Sequence, residues 1–263
     1  MAAPFFELTN VRRTFGGLVA VNDLSFKIES GAVVAMIGPN GAGKSTVFNL
    51  ITGIYAPTSG TIDLDGRALT GLSTDRITEC GIARTFQNIR LFAFMSALDN
   101  VMTGQHARMN ATMLDSLLHS PRQRIEERRV RERARDLLRF VDLERGADDY
   151  ARNLPYGSQR RLEIARALAS EPKLLLLDEP AAGMNPREKD ELVGLIARIR
   201  ATGVTVFLIE HDMNLVMQVS ERITVLDHGE KIAEGLPADV RRSEAVIEAY
   251  LGRAGGAGGA DVA

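Results

Sequence analysis

A glycine-rich segment, GPNGAGKST, occupies residues 38–46 and ends in a lysine followed by two hydroxyl residues. Glycine lets a backbone turn tightly and present successive N–H groups to phosphate oxygens. A short apolar run precedes the segment and a helical pattern follows it, so the N–H groups would lie at a helix N-terminus, which favours anions. The pattern predicts a phosphate-binding loop for a nucleoside triphosphate. Its residues are Gly38, Pro39, Asn40, Gly41, Ala42, Gly43, Lys44, Ser45 and Thr46.

Two side chains of this loop are expected to do chemistry. Lys44 is expected to bridge the β- and γ-phosphates of ATP, and the Ser45 hydroxyl to ligate Mg²⁺. The alternative is a chance match in a glycine-rich turn. The strand predicted before the loop and the helix predicted after it favour the phosphate-binding interpretation.

Adjacent carboxylates follow a second apolar run, in LLLLDEP at residues 174–180. At the end of a buried strand, Asp178 is placed to hold Mg²⁺, directly or through water. Glu179 is placed to orient and deprotonate the attacking water. An Asp-Glu pair after a strand is by itself commonly a polar turn. Its presence in one chain with the phosphate loop favours a catalytic role.

A histidine, His211, follows the apolar strand pattern at residues 204–209, in the run LIEHDM. A lone histidine at a strand end is more often structural than catalytic. Here a further strand end would converge on the γ-phosphate, where an imidazole can hydrogen-bond both phosphate and water.

The elements that must position these residues alternate between strands and helices. Residues 18–28 alternate apolar and polar side chains over much of their length, as half-buried strands do, whereas residues 32–37 form a short apolar run typical of a buried strand. We expect an α/β fold with a mixed-sheet core and an N-terminal antiparallel β region. The other predicted strands are 60–64, 173–177, 204–209 and 223–226, and the predicted helices are 46–51, 159–169, 186–201 and 239–251.

A charged segment at about residues 91–153 interrupts this alternation. It contains IEERRVRERARDLLRFVDL at residues 125–143, where Leu137, Leu138 and Val141 mark one apolar face of an amphipathic helix. The basic residues raise the alternative of nucleic-acid or lipid binding. Interleaved acidic residues favour a solvated helix face instead. We expect a helical lobe inserted into the α/β body.

Composition limits the remaining possibilities. The chain has 263 residues and a formal net charge of −2, which gives no reason to expect nucleic-acid binding. The single cysteine, Cys80, cannot form an internal disulfide. The first residues lack a secretory signal pattern, and the longest apolar runs are too short to span a bilayer. We therefore expect a soluble chain, with residues 252–263 as a flexible Gly/Ala-rich tail.

A further segment, LPYGSQRRLEIARAL at residues 154–168, resembles the signature of ATP-binding-cassette (ABC) proteins, usually written LSGGQ followed by QRVAIARAL. The phosphate loop (Walker A), Gln87, this signature, the Asp178-Glu179 pair (Walker B) and His211 occur in the order of that family. The resemblance implies a P-loop NTPase of ABC type. It implies a single domain over residues 1–251, with a body at 1–90 and 154–251 and a helical subdomain at about 91–153 that extends into the signature helix.

The resemblance also implies site roles and a dimer. Two such domains would pair head to tail, so that Gly157 and the N-terminus of the signature helix cap ATP held by the partner. Gln87 would act in catalysis and as a Mg²⁺ ligand. Phe15 fits the position of the aromatic residue under the adenine, with ordinary packing as the alternative. The implied cofactors are ATP and Mg²⁺.

Two departures from the family pattern affect this picture. Pro155 and Tyr156 stand where serine and glycine are usual, which removes the serine hydroxyl, and Ser158 is the candidate to replace it. Asn185 stands where an aspartate is common, which puts the usual contact across the dimer there in doubt.

These departures, together with the ending VIEAYLG, resemble the ATPase subunits of branched-chain amino acid importers. The implied partners are membrane permease subunits, a second ABC ATPase subunit and an extracytoplasmic binding protein. The ATPase pair is a homodimer or a heterodimer, and the resemblance favours a non-identical partner in the assembled complex. The implied location is the cytoplasmic face of the cell membrane. Residues 88–103 would contact a permease helix through exposed Leu91, Phe92 and Phe94.

Three alternatives stay open. One is an importer of urea, amides or related compounds. Another is a soluble ABC ATPase that acts on nucleic acid or ribosomes, although the chain has one cassette, no long heptad run and no cysteine pair. The last is a phosphate-loop kinase, against which the signature segment and His211 argue.

Overall fold

The computed structural model describes residues 4–105 and 121–251. The chain divides into two compact units, Met1–Ile77 with Ile196–Ala263, and Thr78–Leu195. Among the described residues, no helix combines the length and the apolar character that spanning a bilayer requires. The predicted tail at residues 252–263 lies outside the described residues.

The first unit contains an antiparallel four-stranded sheet in the order β2-β1-β4-β5. The predicted strand at residues 18–28 is confirmed, since β2 has those bounds and alternates buried with exposed positions along much of its length. The strands are β1 (Phe6–Phe15), β2 (Leu18–Ile28), β4 (Ser59–Leu64) and β5 (Arg67–Ala68).

A second group of strands in the first unit has β3 at its centre. β3 pairs in parallel with β8 and with β9, and β9 pairs antiparallel with β10. Every residue of β3 and β8 is buried, as expected for strands covered on both faces. Phe207 on β8 packs edge-on against Phe26 and Phe48. The strands are β3 (Val33–Ile37), β8 (Thr205–Ile209), β9 (Arg222–Asp227) and β10 (Glu230–Gly235). The predicted α/β class with a mixed sheet and a separate antiparallel sheet is confirmed.

The helix predicted at residues 239–251 is wrong as a single element. Two helices occupy this part of the chain, α8 (Pro237–Val240) and α9 (Glu244–Leu251). Proline is favoured in the first turn of a helix and serine immediately before one. Pro237 therefore starts α8. The second helix, α9, begins after Ser243, whose carbonyl accepts a hydrogen bond from the Ile247 N–H at 3.0 Å. The other helices outside the second unit are α1 (Lys44–Ile51), α2 (Thr74–Cys80, across the boundary) and α7 (Met213–Val219).

The second unit combines a parallel strand pair with helices. Strands β6 (Ile82–Arg84) and β7 (Leu174–Asp178) pair in parallel. Helix α3 packs on α4 and α5. The predicted apolar face is confirmed on α4 for Leu137 and Leu138, which are buried; Val141 is buried too but follows the end of the helix at Phe140. The α-helices in the described part of this unit are α3 (Ala97–Thr103), α4 (Pro121–Phe140), α5 (Tyr156–Leu168) and α6 (Pro186–Ala201, which continues past the boundary). The finer division at residues 90/91 and 153/154 stays a prediction.

The signature helix starts earlier than predicted. Helix α5 begins at Tyr156 rather than at Gln159, and Pro155 occupies its N-cap with φ −54°. The ring of proline fixes φ near this value, and proline is tolerated at a helix start because no N–H is needed there. The whole segment from Tyr156 to Ser158 therefore forms the first helical turn.

Candidate active site

The phosphate loop connects the end of β3 to the start of α1 and depends on its glycines. Gly38, Gly41 and Gly43 all have positive φ, a region that other residues rarely adopt. A Cβ atom at Gly38 would overlap the Leu226 carbonyl oxygen, and one at Gly43 would lie 2.5 Å from the Ala20 carbonyl oxygen. Both glycines are therefore required by close backbone approach as well as by conformation.

Lys44 is buried within this loop, with 8% of its surface exposed. Its Nζ donates to the carbonyl oxygens of Gly38 at 2.7 Å and Pro39 at 2.9 Å. A buried ammonium needs such partners because desolvation of an unpaired charge is costly. The loop thus holds a positive charge in the place where the sequence predicts phosphate binding. Ser45, the next residue, is exposed in the first turn of α1.

Two segments far away in sequence support the loop. In the β9–β10 turn, the Gly229 N–H donates to the Ala42 carbonyl at 2.9 Å, and the Gly229 carbonyl accepts from the Asn22 N–H at 2.8 Å. On α9, the phenol of Tyr250 accepts a hydrogen bond from the Gly38 N–H; burial raises the pKa of Tyr250, and this hydrogen bond opposes the rise. The sequence motifs did not point to either support.

Phe15 lies at the end of β1 with 37% of its surface exposed. The Tyr55 ring packs edge-on against it, with ring centroids 5.1 Å apart. The Arg13 guanidinium lies 4.5 Å from the Phe15 ring centroid, and its Nη1 donates to the Ala56 carbonyl at 2.8 Å. Phe15 is thus a supported aromatic ring with exposed surface, suited to stacking.

His211 follows β8 and its side chain is 62% exposed. Its backbone N–H donates to the buried Glu210 carboxylate at 3.0 Å. Asp212, the next residue, caps α7 by accepting from the N–H groups of Asn214 and Leu215. The backbone on both sides of His211 is therefore fixed, while the imidazole remains accessible for hydrogen bonding.

In the second unit, Asp178 ends the buried strand β7. Its carboxylate forms an ion pair with Arg84 on β6, and its N–H donates to the Thr85 hydroxyl at 3.3 Å. Glu179 follows with φ 46°, a left-handed conformation that is uncommon outside glycine. The Gln87 Nε2 donates to Glu179 Oε2 at 2.9 Å. The structure therefore brings together Gln87 and Glu179, two of the predicted catalytic residues.

The signature residues lie in the first turn of α5. The first turn of a helix has N–H groups without helical acceptors, and its dipole favours anions. Gly157 is buried against Glu188, whose carboxylate a Cβ atom on Gly157 would overlap. The Ser158 hydroxyl accepts from Arg161 Nη2 at 3.2 Å.

Asn185, one of the departures from the family pattern, caps α6. Its side-chain oxygen accepts from the Glu188 N–H at 3.0 Å, and the Glu188 carboxylate accepts from the Asn185 N–H at 2.9 Å. This reciprocal pair is a capping box.

An exposed aromatic segment lies between Gln87 and α3. Phe92 and Phe94 are 52% and 74% exposed, whereas Leu91, which we expected to be exposed, is half-buried. Buried Asn100 fixes the segment: its Oδ1 accepts from the Phe92 N–H at 2.9 Å, and its Nδ2 donates to the carbonyls of Phe92 and Ser96. The two aromatic rings are therefore held exposed by a defined backbone.

Residues 21–182, more than half of the chain, match the model of the ABC transporter family, and residues 230–255 match that of the branched-chain amino acid ATP-binding cassette transporters. The chain therefore belongs to the ABC transporter family, and it is an ATPase that binds ATP.

Several known proteins resemble the chain along almost its entire length. It is 49% identical to BraF of Pseudomonas aeruginosa, a high-affinity branched-chain amino acid transport ATP-binding protein, over 97% of this chain and 100% of that protein. It is 44% identical to LivG of Escherichia coli K12, which has the same description, with the same coverage.

Solved structures resemble the chain as well. A nucleotide-free ATP-binding cassette from an ABC transporter has a TM-score of 0.83 and 30% identity, over 94% of this chain and 99% of that one. A dimeric, post-hydrolysis cassette bound to ADP and phosphate has a TM-score of 0.74 and 29% identity, over 88% and 98%.

Proposed function

We propose that this chain is the ATP-hydrolysing subunit of an importer of branched-chain amino acids. The observation that carries the proposal is the alignment of 97% of this chain with the whole of BraF at 49% identity. The match of residues 230–255 to the branched-chain amino acid cassette model supports the same cargo.

In this proposal the phosphate loop binds the triphosphate of ATP through backbone N–H groups and through Lys44. Phe15 stacks on the adenine. The Lys44 ammonium, which donates to the carbonyls of Gly38 and Pro39, exchanges these partners for phosphate oxygens. A charge-assisted bond to phosphate is stronger than one to a neutral carbonyl, which favours the exchange.

Mg²⁺ is the proposed second cofactor, and the residues fit it. Mg²⁺ prefers oxygen ligands, and the proposed ligands are the Ser45 hydroxyl, the Asp178 carboxylate and the Gln87 amide. When bound, Mg²⁺ offsets the negative charge that develops on the phosphates.

Hydrolysis is assigned to Glu179, His211 and Lys44. A water oxygen bonds to the γ-phosphorus, the bond from phosphorus to the β–γ bridging oxygen breaks, and Glu179 takes a proton from the water. Gln87 orients Glu179 through the hydrogen bond between Nε2 and Oε2. His211 hydrogen-bonds the γ-phosphate and the water. Lys44 stabilises the negative charge that develops on the β-phosphate of the departing ADP.

The proposed catalytic unit is a dimer. The first turn of α5, with Gly157 and Ser158, caps ATP held by a second ABC ATPase subunit, which is non-identical in the assembled importer. The helix N-terminus that Pro155 creates supplies N–H groups for this contact. Closure of the dimer on ATP and reopening after hydrolysis would drive the attached permeases between access states.

The membrane contact is assigned to residues 88–103, on the cytoplasmic face of the cell membrane. Phe92 and Phe94 are large exposed apolar side chains on a backbone fixed by Asn100, and such side chains mark interaction surfaces. The proposed partners are integral permease subunits, with an extracytoplasmic binding protein as an indirect partner. Nucleic acid is not among the proposed partners.

The test is uptake of radiolabelled leucine by cells whose own gene carries Lys44→Ala. We expect uptake and ATP hydrolysis to fall by at least about 100-fold, because the phosphates lose their charged partner. The control is Lys27→Ala, which removes an exposed lysine paired with Glu7. Leucine uptake unchanged by Lys44→Ala would overturn the proposed function. Loss of urea or amide uptake instead would reassign the cargo, and co-purification with ribosomes rather than membrane proteins would support the soluble alternative.

A further inference from the structure

A buried ion pair lies on the inner face of the signature helix. Arg160 Nη1 donates to Glu163 Oε2 at 3.1 Å, and their side chains are 0% and 1% exposed. Burying two charges carries a large desolvation cost, which is offset only where further hydrogen bonds satisfy the remaining donors and acceptors. The additional hydrogen-bond partners of this pair therefore indicate its structural role.

Those partners are backbone groups of the segment that carries Gln87. Arg160 donates to the carbonyls of Phe86 and Gln87, each at 2.6 Å. Glu163 Oε1 accepts from the N–H groups of Phe86 at 3.4 Å and Arg90 at 3.2 Å. Two side chains on successive turns of α5 thus hold the polypeptide on both sides of Gln87.

The same guanidinium contacts the first residue of the signature helix. Arg160 Nη2 lies 3.2 Å from the Tyr156 hydroxyl and donates to it. The Tyr156 ring also borders Gly183, in the loop after Glu179, where an added Cβ would lie 3.1 Å from the ring. The tyrosine that replaces the family's usual glycine is therefore attached to Arg160.

The chain of contacts ends at the proposed general base. The backbone carbonyl of Gln87 is held by Arg160, and the side chain of Gln87 donates to Glu179 at 2.9 Å. A displacement of a catalytic group by about 1 Å can cost about 100-fold in rate. Whatever fixes the Gln87 backbone therefore affects how Glu179 is oriented.

We propose that Arg160, with Glu163, is a positioning residue that connects Tyr156 at the start of the signature helix to Gln87 and, through it, to Glu179. This inference rests on the proposed roles of Gln87 and Glu179. It implies that contacts made by the signature turn with a partner's nucleotide alter the orientation of the general base in the same chain. Arginine is required because its planar fork reaches two carbonyls at once, which a lysine ammonium on a single flexible stem does not reproduce.

The hydrogen bonds from Arg160 and Glu163 to the backbone around Gln87 are tested by hydrogen exchange in the full-length chain. Arg160→Lys should release Glu163, and the amides of Phe86 and Arg90 should exchange at least about 10-fold faster in peptides covering residues 85–91. The control is Arg161→Lys, the next residue of the same helix, which pairs with Glu191 at 3.6 Å and not with the Gln87 segment. Equal exchange in the two variants would overturn the proposal.

The effect on catalysis is tested by a double-mutant cycle in ATP hydrolysis. Arg160→Lys should lower kcat by about 10- to 100-fold with less than about a 3-fold change in KM, because orientation rather than ATP binding is lost. In a Gln87→Ala background the same change should cost less than about 2-fold, since the connection to Glu179 is already broken. Additive losses would show that Arg160 does not act through Gln87.

A second variant tests the proposal in case Arg160→Lys does not fold. Tyr156→Phe removes only the hydroxyl and leaves the buried ion pair intact, so its cycle with Gln87→Ala is judged by the same criterion of non-additivity. The two proposals fail differently. If Gln87→Ala leaves kcat unchanged, the proposed role of Gln87 is wrong; if Gln87→Ala lowers kcat but exchange is unaffected by Arg160→Lys, the positioning inference alone is wrong.

Discussion

Arg84 Nη2 lies 2.7 Å from Asp178 Oδ2, in an ion pair whose side chains are 8% and 5% exposed. Asp178 follows four buried leucines and would otherwise place an isolated carboxylate in an apolar environment. The guanidinium on the neighbouring strand compensates this charge. A residue proposed to ligate Mg²⁺ thus has a buried ion-pair partner inside the second unit.

Replacing Arg84 with methionine should destabilise the chain. The change leaves a buried carboxylate without its ion-pair partner, and breaking a buried pair in this way costs about 3–5 kcal/mol. The free energy of unfolding from urea denaturation measures the effect. Adding Asp178→Asn to Arg84→Met should recover more than about 1 kcal/mol, because the uncompensated charge is removed. A loss below about 1 kcal/mol in Arg84→Met would contradict the importance of the pair.

Replacing Glu179 with glutamine should separate ATP binding from hydrolysis. The amide oxygen of glutamine can still accept from Gln87 Nε2, but it cannot take a proton from water. We expect kcat to fall by about 100- to 10,000-fold while ATP affinity is retained, and a dimer to accumulate with ATP. Phosphate release, nucleotide binding and light scattering provide the measurements. Turnover at the parent rate would exclude Glu179 as the general base.

Asn185 should contribute to stability through its cap on α6. Asn185→Ala removes the acceptor for the Glu188 N–H and should cost about 1 kcal/mol of unfolding free energy. Asn185→Asp keeps the acceptor and adds negative charge at a helix N-terminus, so it should be neutral or slightly stabilising. Thermal and urea unfolding of the two variants compare them directly. Equal destabilisation by both would show that the side-chain oxygen is not what matters.

Local patterns predicted the strand at residues 18–28 and the phosphate loop, because alternation and glycine spacing depend only on neighbouring residues. The start of α5 differs from the prediction because Pro155, a departure from the family signature, also occupies the N-cap of the helix. The supports of the site were missed for another reason. Arg160 donates hydrogen bonds to the carbonyls of Phe86 and Gln87, which lie more than 70 positions earlier in the sequence. The sequence offers one signal for this support: Arg160 and Glu163 are three residues apart, and therefore lie together on an otherwise apolar face of the helix.

The contact of Tyr250 with the Gly38 N–H bears on how the protein is handled in the laboratory. Helix α9 ends one residue after this tyrosine, so we expect a reporter domain or immobilisation handle fused close to that helix to perturb the phosphate loop. ATP affinities measured with such fusions would include that perturbation. Handles attached before β1 avoid this helix and are the better choice for quantitative work.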